Sequence, residues 1–210
     1  MQRRTGEAID QLRVALERSH GVGDPFSAAM ALSFYAVALG AAEQYAEAAR
    51  CIAEALERFR GLGSNAHVSR CLVDLAIVRL RSGDLREAAI ALLDGVAAAT
   101  QLGRVPYRFA QLVLASAEVA YASGLPADAA RLVAAAATLR RVSGIALAAD
   151  RVDDEALLLT TLRNELGGED VDSLLAEGRA LHEEEAVVLT RDVLKSVLHR
   201  EVRVKVRGGQ

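Results

Sequence analysis

Acidic side chains are the residues of this chain whose type and spacing could support catalysis. Asp150, Asp153, Asp154 and Glu155 form one cluster, and residues 183–185 form a second run of three glutamates. Paired carboxylates can act as general acid and base, but each cluster opens a predicted helix, where carboxylates complement the helix dipole and cap free amides. The sequence therefore favours a helix-capping role for both clusters and predicts no catalytic residues and no enzymatic activity.

Metal and redox chemistry have similarly weak support. The four histidines include no pair at zinc-ligand spacing, and His182 lacks the second histidine of a metalloprotease helix. Cys51 and Cys71 lie about equally far from a predicted turn near Leu62, so antiparallel helices could bring them level for a reversible disulfide. Buried, inert cysteine is the commoner arrangement in a cytosolic helical protein. We therefore predict no metal site and no cofactor.

Phosphate and nucleic-acid binding are not indicated either. The chain has no Gly-x-x-x-x-Gly-Lys-Ser/Thr phosphate loop, and a turn between two helices explains the Gly167-Gly168 pair. A net charge of −3 gives no broad attraction for nucleic acid. Basic and apolar residues alternate over 200–207, which could contact phosphate or form a short strand, although fraying is expected there. We predict no direct nucleic-acid binding by this chain.

Composition indicates one elongated, folded domain. Of 210 residues, 52% are hydrophobic, which is enough to bury a sizeable core. No uninterrupted apolar run approaches the roughly 20 residues that cross a bilayer, and the polar N-terminal residues lack the apolar core of a signal peptide. Two cysteines fit a reducing compartment better than a disulfide framework. The sequence thus predicts a cytoplasmic protein that does not associate with membranes.

A repeat of roughly forty residues organises the chain. Apolar residues recur at helical spacing, and Gly, Pro or Asn/Asp clusters interrupt them about every 20 residues. Each unit is therefore a helical hairpin, which cannot bury its apolar face alone and must stack on its neighbours. Helices are predicted at about 5–20, 25–42, 45–61, 65–82, 85–102, 106–123, 126–143, 150–166, 169–179 and 183–199.

Small residues at fixed positions locate the contact between the two helices of each hairpin. Antiparallel helices that approach closely leave no room for Leu or Phe at these positions. The residues are Ala36, Ala48 and Ala55 in the first hairpin, Ala76, Ala88 and Gly95 in the second, and Ala117, Ala129 and Ala136 in the third.

This spacing resembles the tetratricopeptide repeat, although the period exceeds that family's usual length of about 34 residues and its tryptophan is absent. The resemblance implies an all-α fold, an α-solenoid of tetratricopeptide-like helical hairpins. We assign residues 1–145 to the repeats, 146–200 to a C-terminal helical cap and 201–210 to a tail.

A narrower resemblance concerns bacterial regulators. The long period and the Leu-Arg-Glu-Ala-Ala style of residues 85–89 are similar to the repeat regions of LuxR-type and maltose-regulator-like signal-transduction ATPase transcriptional regulators. Residues 129–140, 162–167 and 175–187 resemble the stretch that closes this region in actinobacterial members. The resemblance implies a non-enzymatic sensor module that binds a protein, a peptide or a small effector. A free-standing adaptor or oligomerisation scaffold is the first alternative, and a small enzyme using the acidic clusters is a distant one.

If the hairpins stack as tetratricopeptides do, the first helix of each lines a concave groove. Its mainly apolar surface is a candidate binding site, and Arg70 and Arg81 could grip an acidic peptide or a carboxylate. The alternatives are that the arginines are only solvated and that the C-terminal helices fold back and bury the surface. The predicted groove residues are Met30, Ser33, Val37, Arg70, Val73, Ile77, Arg81, Gln111, Leu114, Glu118 and Tyr121.

The first predicted helix aligns with the second helix of a hairpin and has no preceding partner. Leu12, Ala15 and Leu16 occupy positions that a complete hairpin would bury. Burying such apolar surface stabilises an assembly, and a two-fold dimer is the commonest closed arrangement. The sequence therefore predicts self-association through these three residues, with a homodimer as the expected product.

Overall fold

The computed structural model describes residues 2–101, 106–144, 146 and 149–207, and within these it describes the side chains of 6–19, 23–101, 109–144, 146 and 151–200. These residues form ten helices and, within the same ranges, no strand. The predicted all-α fold is confirmed. The helices are α1 Gln2–Val22, α2 Pro25–Ala41, α3 Tyr45–Gly61, α4 Asn65–Arg81, α5 Leu85–Gln101, α6 Pro106–Ala122, α7 Pro126–Ser143, α8 Ala149–Leu166, α9 Gly168–Ala180 and α10 Glu183–Arg207.

Three hairpins build the solenoid. Helix α2 packs on α3, α4 on α5, and α6 on α7, while α3 contacts α4 and α5 contacts α6. The first helices also contact one another, α2 with α4 and α4 with α6, so they line one face. Helix α1 packs on α2 in the place that the second helix of a preceding hairpin would take.

Local sequence signals account for the starts of three helices. Pro25, Pro106 and Pro126 are the first residues of α2, α6 and α7, where proline loses no hydrogen bond. Asp24 caps α2, because its carboxylate accepts hydrogen bonds from the amides of Phe26 at 3.0 Å and Ser27 at 3.2 Å. A hydrogen bond from the Ser27 hydroxyl, together with these amides, lowers the pKa of Asp24. The first and third hairpins thus start at prolines.

The small residues of the repeat lie in the core. Ala36, Ala48 and Ala55 are each 0% exposed, as are most of their counterparts in the next two hairpins. Gly95 shows how tight these contacts are, because a Cβ there would lie 2.6 Å from Leu112 Cδ2 of the next hairpin. Side-chain volume at these positions therefore sets how closely the helices approach.

The last three helices close one end of the solenoid. Helix α9 packs on α7, α10 lies against α5, α6 and α7, and α8 contacts α7 and α9. Helix α10 extends to Arg207, beyond the expected end at 199, so the described part of the predicted tail continues as helix. No Gly or Pro interrupts residues 200–207, so an already formed helix can propagate through them. The remaining tail residues, 208–210, lie outside the described residues.

Candidate functional site

The first helices of the three hairpins line an open cavity of about 370 Å³. Its wall is mainly apolar, with Val73, Ile77 and Leu114 along α4 and α6. Phe34 and Val37 of α2 remain 45% exposed at its edge. Large apolar side chains left in water around a concavity are typical of a binding surface.

Most of the predicted groove residues lie at this cavity or at a smaller one beside it. Glu118 and Tyr121, together with Arg81, line a cavity of about 250 Å³ between α4, α6 and α8. Met30 and Ser33 line neither of the two cavities. Met30 packs against the core instead. The predicted residues that line the larger cavity are Val37, Arg70, Val73, Ile77, Arg81, Gln111 and Leu114.

Ser33 lies beneath Arg70 and is only 1% exposed. Its hydroxyl donates to the Met30 carbonyl at 2.9 Å and accepts from Arg70 Nη2, also at 2.9 Å. The Arg70 guanidinium also lies 4.7 Å from the centre of the Phe34 ring, and its Nε is 3.6 Å from Asp74 Oδ2. Arg70 is therefore a fixed part of the groove wall, and Ser33 positions it.

Asp74 is a groove residue that the sequence did not single out. It follows Arg70 by one helical turn, which was the available signal for an ion pair. Burial raises the pKa of Asp74 to about 6, although the cationic groups of Arg70 and Arg151 act in the opposite direction. Because the folded-state pKa lies above the ordinary value, this group contributes most stability when protonated, and that contribution is lost as pH rises from about 4 to 6.

Helix α8 covers one end of the groove through a set of ion pairs. Arg151 Nη2 lies 2.8 Å from Glu118 Oε1 of α6, and both side chains are less than 15% exposed. Asp154 Oδ2 accepts from Arg151 Nη1 at 2.9 Å and from Arg81 Nη2 of α4 at 3.2 Å. The sequence left open whether the groove is exposed or is buried by the C-terminal helices. In the structure, α8 covers one end of the groove, and the side formed by α2 is open.

The helix-capping interpretation of the first acidic cluster is wrong for two of its residues. Asp154 pairs with Arg81, and Glu155 Oε2 lies 2.6 Å from Arg140 Nη2 of α7. Both residues lie beyond the first turn of α8, so they anchor the helix to its neighbours. Asp153 is exposed, and the Asp150 side chain lies outside the described residues.

One residue of the second acidic cluster, Glu185, does act at a helix start. Glu185 Oε2 accepts a hydrogen bond from the His182 amide at 2.8 Å, just before the first residue of α10. Across the described side chains, no group of three His, Cys, Asp or Glu residues could hold a metal ion. Glu185 is thus engaged in the start of the helix.

Comparison with known proteins supports a tetratricopeptide-like class for part of the repeat region. Residues 27–101 match the family model of the tetratricopeptide repeat. The matched segment runs from α2 to α5, so it covers the first two hairpins. No curated protein and no solved structure matches the chain.

The solenoid is therefore tetratricopeptide-like, and tetratricopeptide repeats generally mediate protein–protein interaction. Its groove lies on the face formed by the first helices of the hairpins. None of the helices, as far as they are described, combines the length and the apolar composition that a bilayer span requires.

Helix α1 departs from the tetratricopeptide-like pattern at the positions predicted for self-association. Leu16 is half-buried and packs against the core, Leu12 is half-buried, and Ala15 is exposed. The residues that align with Ala15 in complete hairpins are Ala55 and Gly95, and both are buried. Part of the α1 face that these repeats normally bury is thus left in solvent.

The two cysteines lie inside the tetratricopeptide-like hairpins as free thiols. Cys51 and Cys71 are 2% and 1% exposed. Burial raises the pKa of both thiols, that of Cys71 to about 12. A thiol that stays protonated at neutral pH is a poor nucleophile, so both residues act as small apolar side chains in the core.

Proposed function

We propose that this chain is a binding module that captures a segment of a partner protein in the groove. The observation that carries the proposal is the open cavity at α2 and α4, with Phe34 and Val37 exposed beside it. Apolar side chains of a partner can displace water there, which supplies most of the affinity. Arg70, held by Ser33 and Asp74, offers a pre-oriented charge that can select an acidic group on the partner.

Substituting Val37 with glutamate is expected to weaken capture of a peptide by about 30-fold, which corresponds to about 2 kcal/mol. The new carboxylate would lose its hydration when an apolar partner covers it. The measurement is the affinity of peptides selected on the wild-type protein from a displayed random library.

Val142→Glu is the matched control, because Val142 is 70% exposed and lines neither cavity. The Val142→Glu variant should bind the selected peptides with the same affinity as the wild type. Equal affinities for all three proteins would show that the selected peptides bind outside the groove.

We further propose that the module is the sensor region of a bacterial transcriptional regulator, in a cytoplasmic setting, with a small effector as a second type of ligand. The support is the sequence resemblance over 129–140, 162–167 and 175–187 together with the tetratricopeptide-like hairpins that precede them. Sequencing the flanking DNA tests this proposal. An adjoining ATPase or helix-turn-helix segment would support the regulator, and unrelated flanking genes would favour the free-standing adaptor.

Self-association through α1 is a separate proposal, supported by the exposed repeat position at Ala15 and the half-buried Leu12. Light scattering over a concentration series is expected to show a dimer. Leu12→Glu should raise the dissociation constant of this dimer at least about 10-fold, because a charge would enter an apolar contact. Leu62→Glu is the control, since Leu62 is 43% exposed at the end of α3. A monomer at all concentrations would refute the proposal.

A further inference from the structure

The two halves of α8 are held in different ways. In the C-terminal half, Leu158 and Leu162 are 7% and 0% exposed and belong to the core. In the N-terminal half, which we define as residues 149–157, Val152 and Leu157 are 49% and 68% exposed. This half is tied to the groove by ion pairs of Arg151 and Asp154 and to α7 by the ion pair of Glu155 with Arg140. A cavity of about 250 Å³ lies beside it.

The groove presents fixed charges to the N-terminal half of α8. Arg81 of α4 faces Asp154, and Glu118 of α6 faces Arg151. When this half of α8 leaves, Arg81 and Glu118 lose these partners and add an unpaired cation and an unpaired anion to the apolar groove. A replacement segment must therefore supply an acidic group to Arg81 and a basic group to Glu118.

We propose that the N-terminal half of α8 is an internal competitor in the groove, and that the partner is a helical segment that repeats its pattern. That pattern is a basic residue followed three positions later by an acidic residue, as in Arg151 and Asp154. This spacing places both side chains along one helix face. The inference rests on the proposed function and names its partner and its regulation.

Internal competition lowers the apparent affinity of the module for its partner. The partner binds only the fraction of molecules in which the N-terminal half of α8 has left the groove, so the measured association constant is the intrinsic one multiplied by that fraction. Weakening the internal contact raises this fraction without altering the groove itself. The contact to weaken is the one between Asp154 and Arg81, because α4 contributes Arg81 to both cavities.

A labelled peptide with the sequence of residues 149–166 provides the probe, and its binding is measured by fluorescence anisotropy. The full chain is used as wild type, Asp154→Asn and Asp153→Asn. Asp153 is exposed, so Asp153→Asn makes the same chemical change one residue away without touching the ion pairs. We expect Asp154→Asn to bind the peptide at least about 5-fold more tightly than wild type, and Asp153→Asn to match the wild type.

Hydrogen exchange provides a readout that needs no ligand. Amides of residues 151–157 should exchange at least about 5-fold faster in Asp154→Asn than in Asp153→Asn, while α2 to α7 stay as protected as in the wild type. Protection of α2 to α7 also shows that the variant folds. Equal peptide affinity of the two variants, or equal exchange of residues 151–157, would overturn the inference.

The failure of this inference is distinguishable from that of the proposed function. If Val37→Glu abolishes capture of selected peptides but the two asparagine variants behave alike, the groove binds partners and α8 is not a competitor. If Asp154→Asn alone tightens binding of the 149–166 peptide while Val37→Glu and Val142→Glu behave alike, α8 exchanges as inferred and the open α2 side is not the capture site.

Discussion

Replacing Leu162 by alanine is expected to lower the free energy of unfolding by about 2–5 kcal/mol. Leu162 is 0% exposed and joins α8 to the core of the solenoid. The substitution removes buried apolar atoms and leaves a cavity, because a close-packed interior relaxes only in part. Urea unfolding followed by circular dichroism measures the change.

The matched control lies on the same helix. Leu157→Ala makes the same substitution at a side chain that is 68% exposed, so the expected change is within about 0.5 kcal/mol. Similar losses in both variants would mean that the C-terminal half of α8 is not anchored in the core. That result would also remove the contrast between the two halves of the helix.

Replacing Gly178 by alanine is expected to cost about 3 kcal/mol or to release α9 from α7. A Cβ at this position would lie 2.1 Å from the carbonyl oxygen of Arg131 and 2.9 Å from its carbonyl carbon. Both are backbone atoms of α7, so no side-chain rotation can make room. Thermal unfolding gives the loss of stability, and hydrogen exchange of α9 shows whether the helix has detached.

Gly168→Ala separates this steric effect from the general effect of replacing glycine in a helix. Gly168 is the first residue of α9, and a Cβ there would meet no atom within 4 Å. Alanine at that position should be neutral or stabilise the protein by up to about 1 kcal/mol, because it restricts the unfolded chain. A stable Gly178→Ala variant with α9 still protected would contradict this steric explanation.

The hairpins could be predicted because their signals are local. Pro25 and Pro126 mark helix starts, and alanines such as Ala48 and Ala88 recur at the spacing of close helix contacts. Periodicity also indicated that Ile77 and Leu114 share a face, because equivalent repeat positions take equivalent places in a solenoid. These parts of the fold and of the groove depend on residue patterns that are visible within the repeat sequence itself.

The contribution of α8 to the groove could not be predicted in the same way. Arg151 contacts Glu118 across a sequence separation of 33 residues. Asp154 contacts Arg81 across a separation of 73 residues. Since α8 lies outside the repeat, no periodic alignment relates it to α4 or α6, and carboxylates near a helix start fit the commoner capping role. Gly178 was missed for a similar reason, because only the packed helices show how close the Arg131 carbonyl lies.

The burial of both native thiols simplifies chemical labelling of the protein. Maleimides and related reagents attack the thiolate, and neither Cys51 nor Cys71 is accessible or readily ionised in the folded chain. A cysteine introduced at Val152, which is 49% exposed on the N-terminal half of α8, would react selectively while the native pair stays in place. Fluorophores or spin labels can thus report on this helix without a cysteine-free background, whose substitutions would disturb two fully packed core positions.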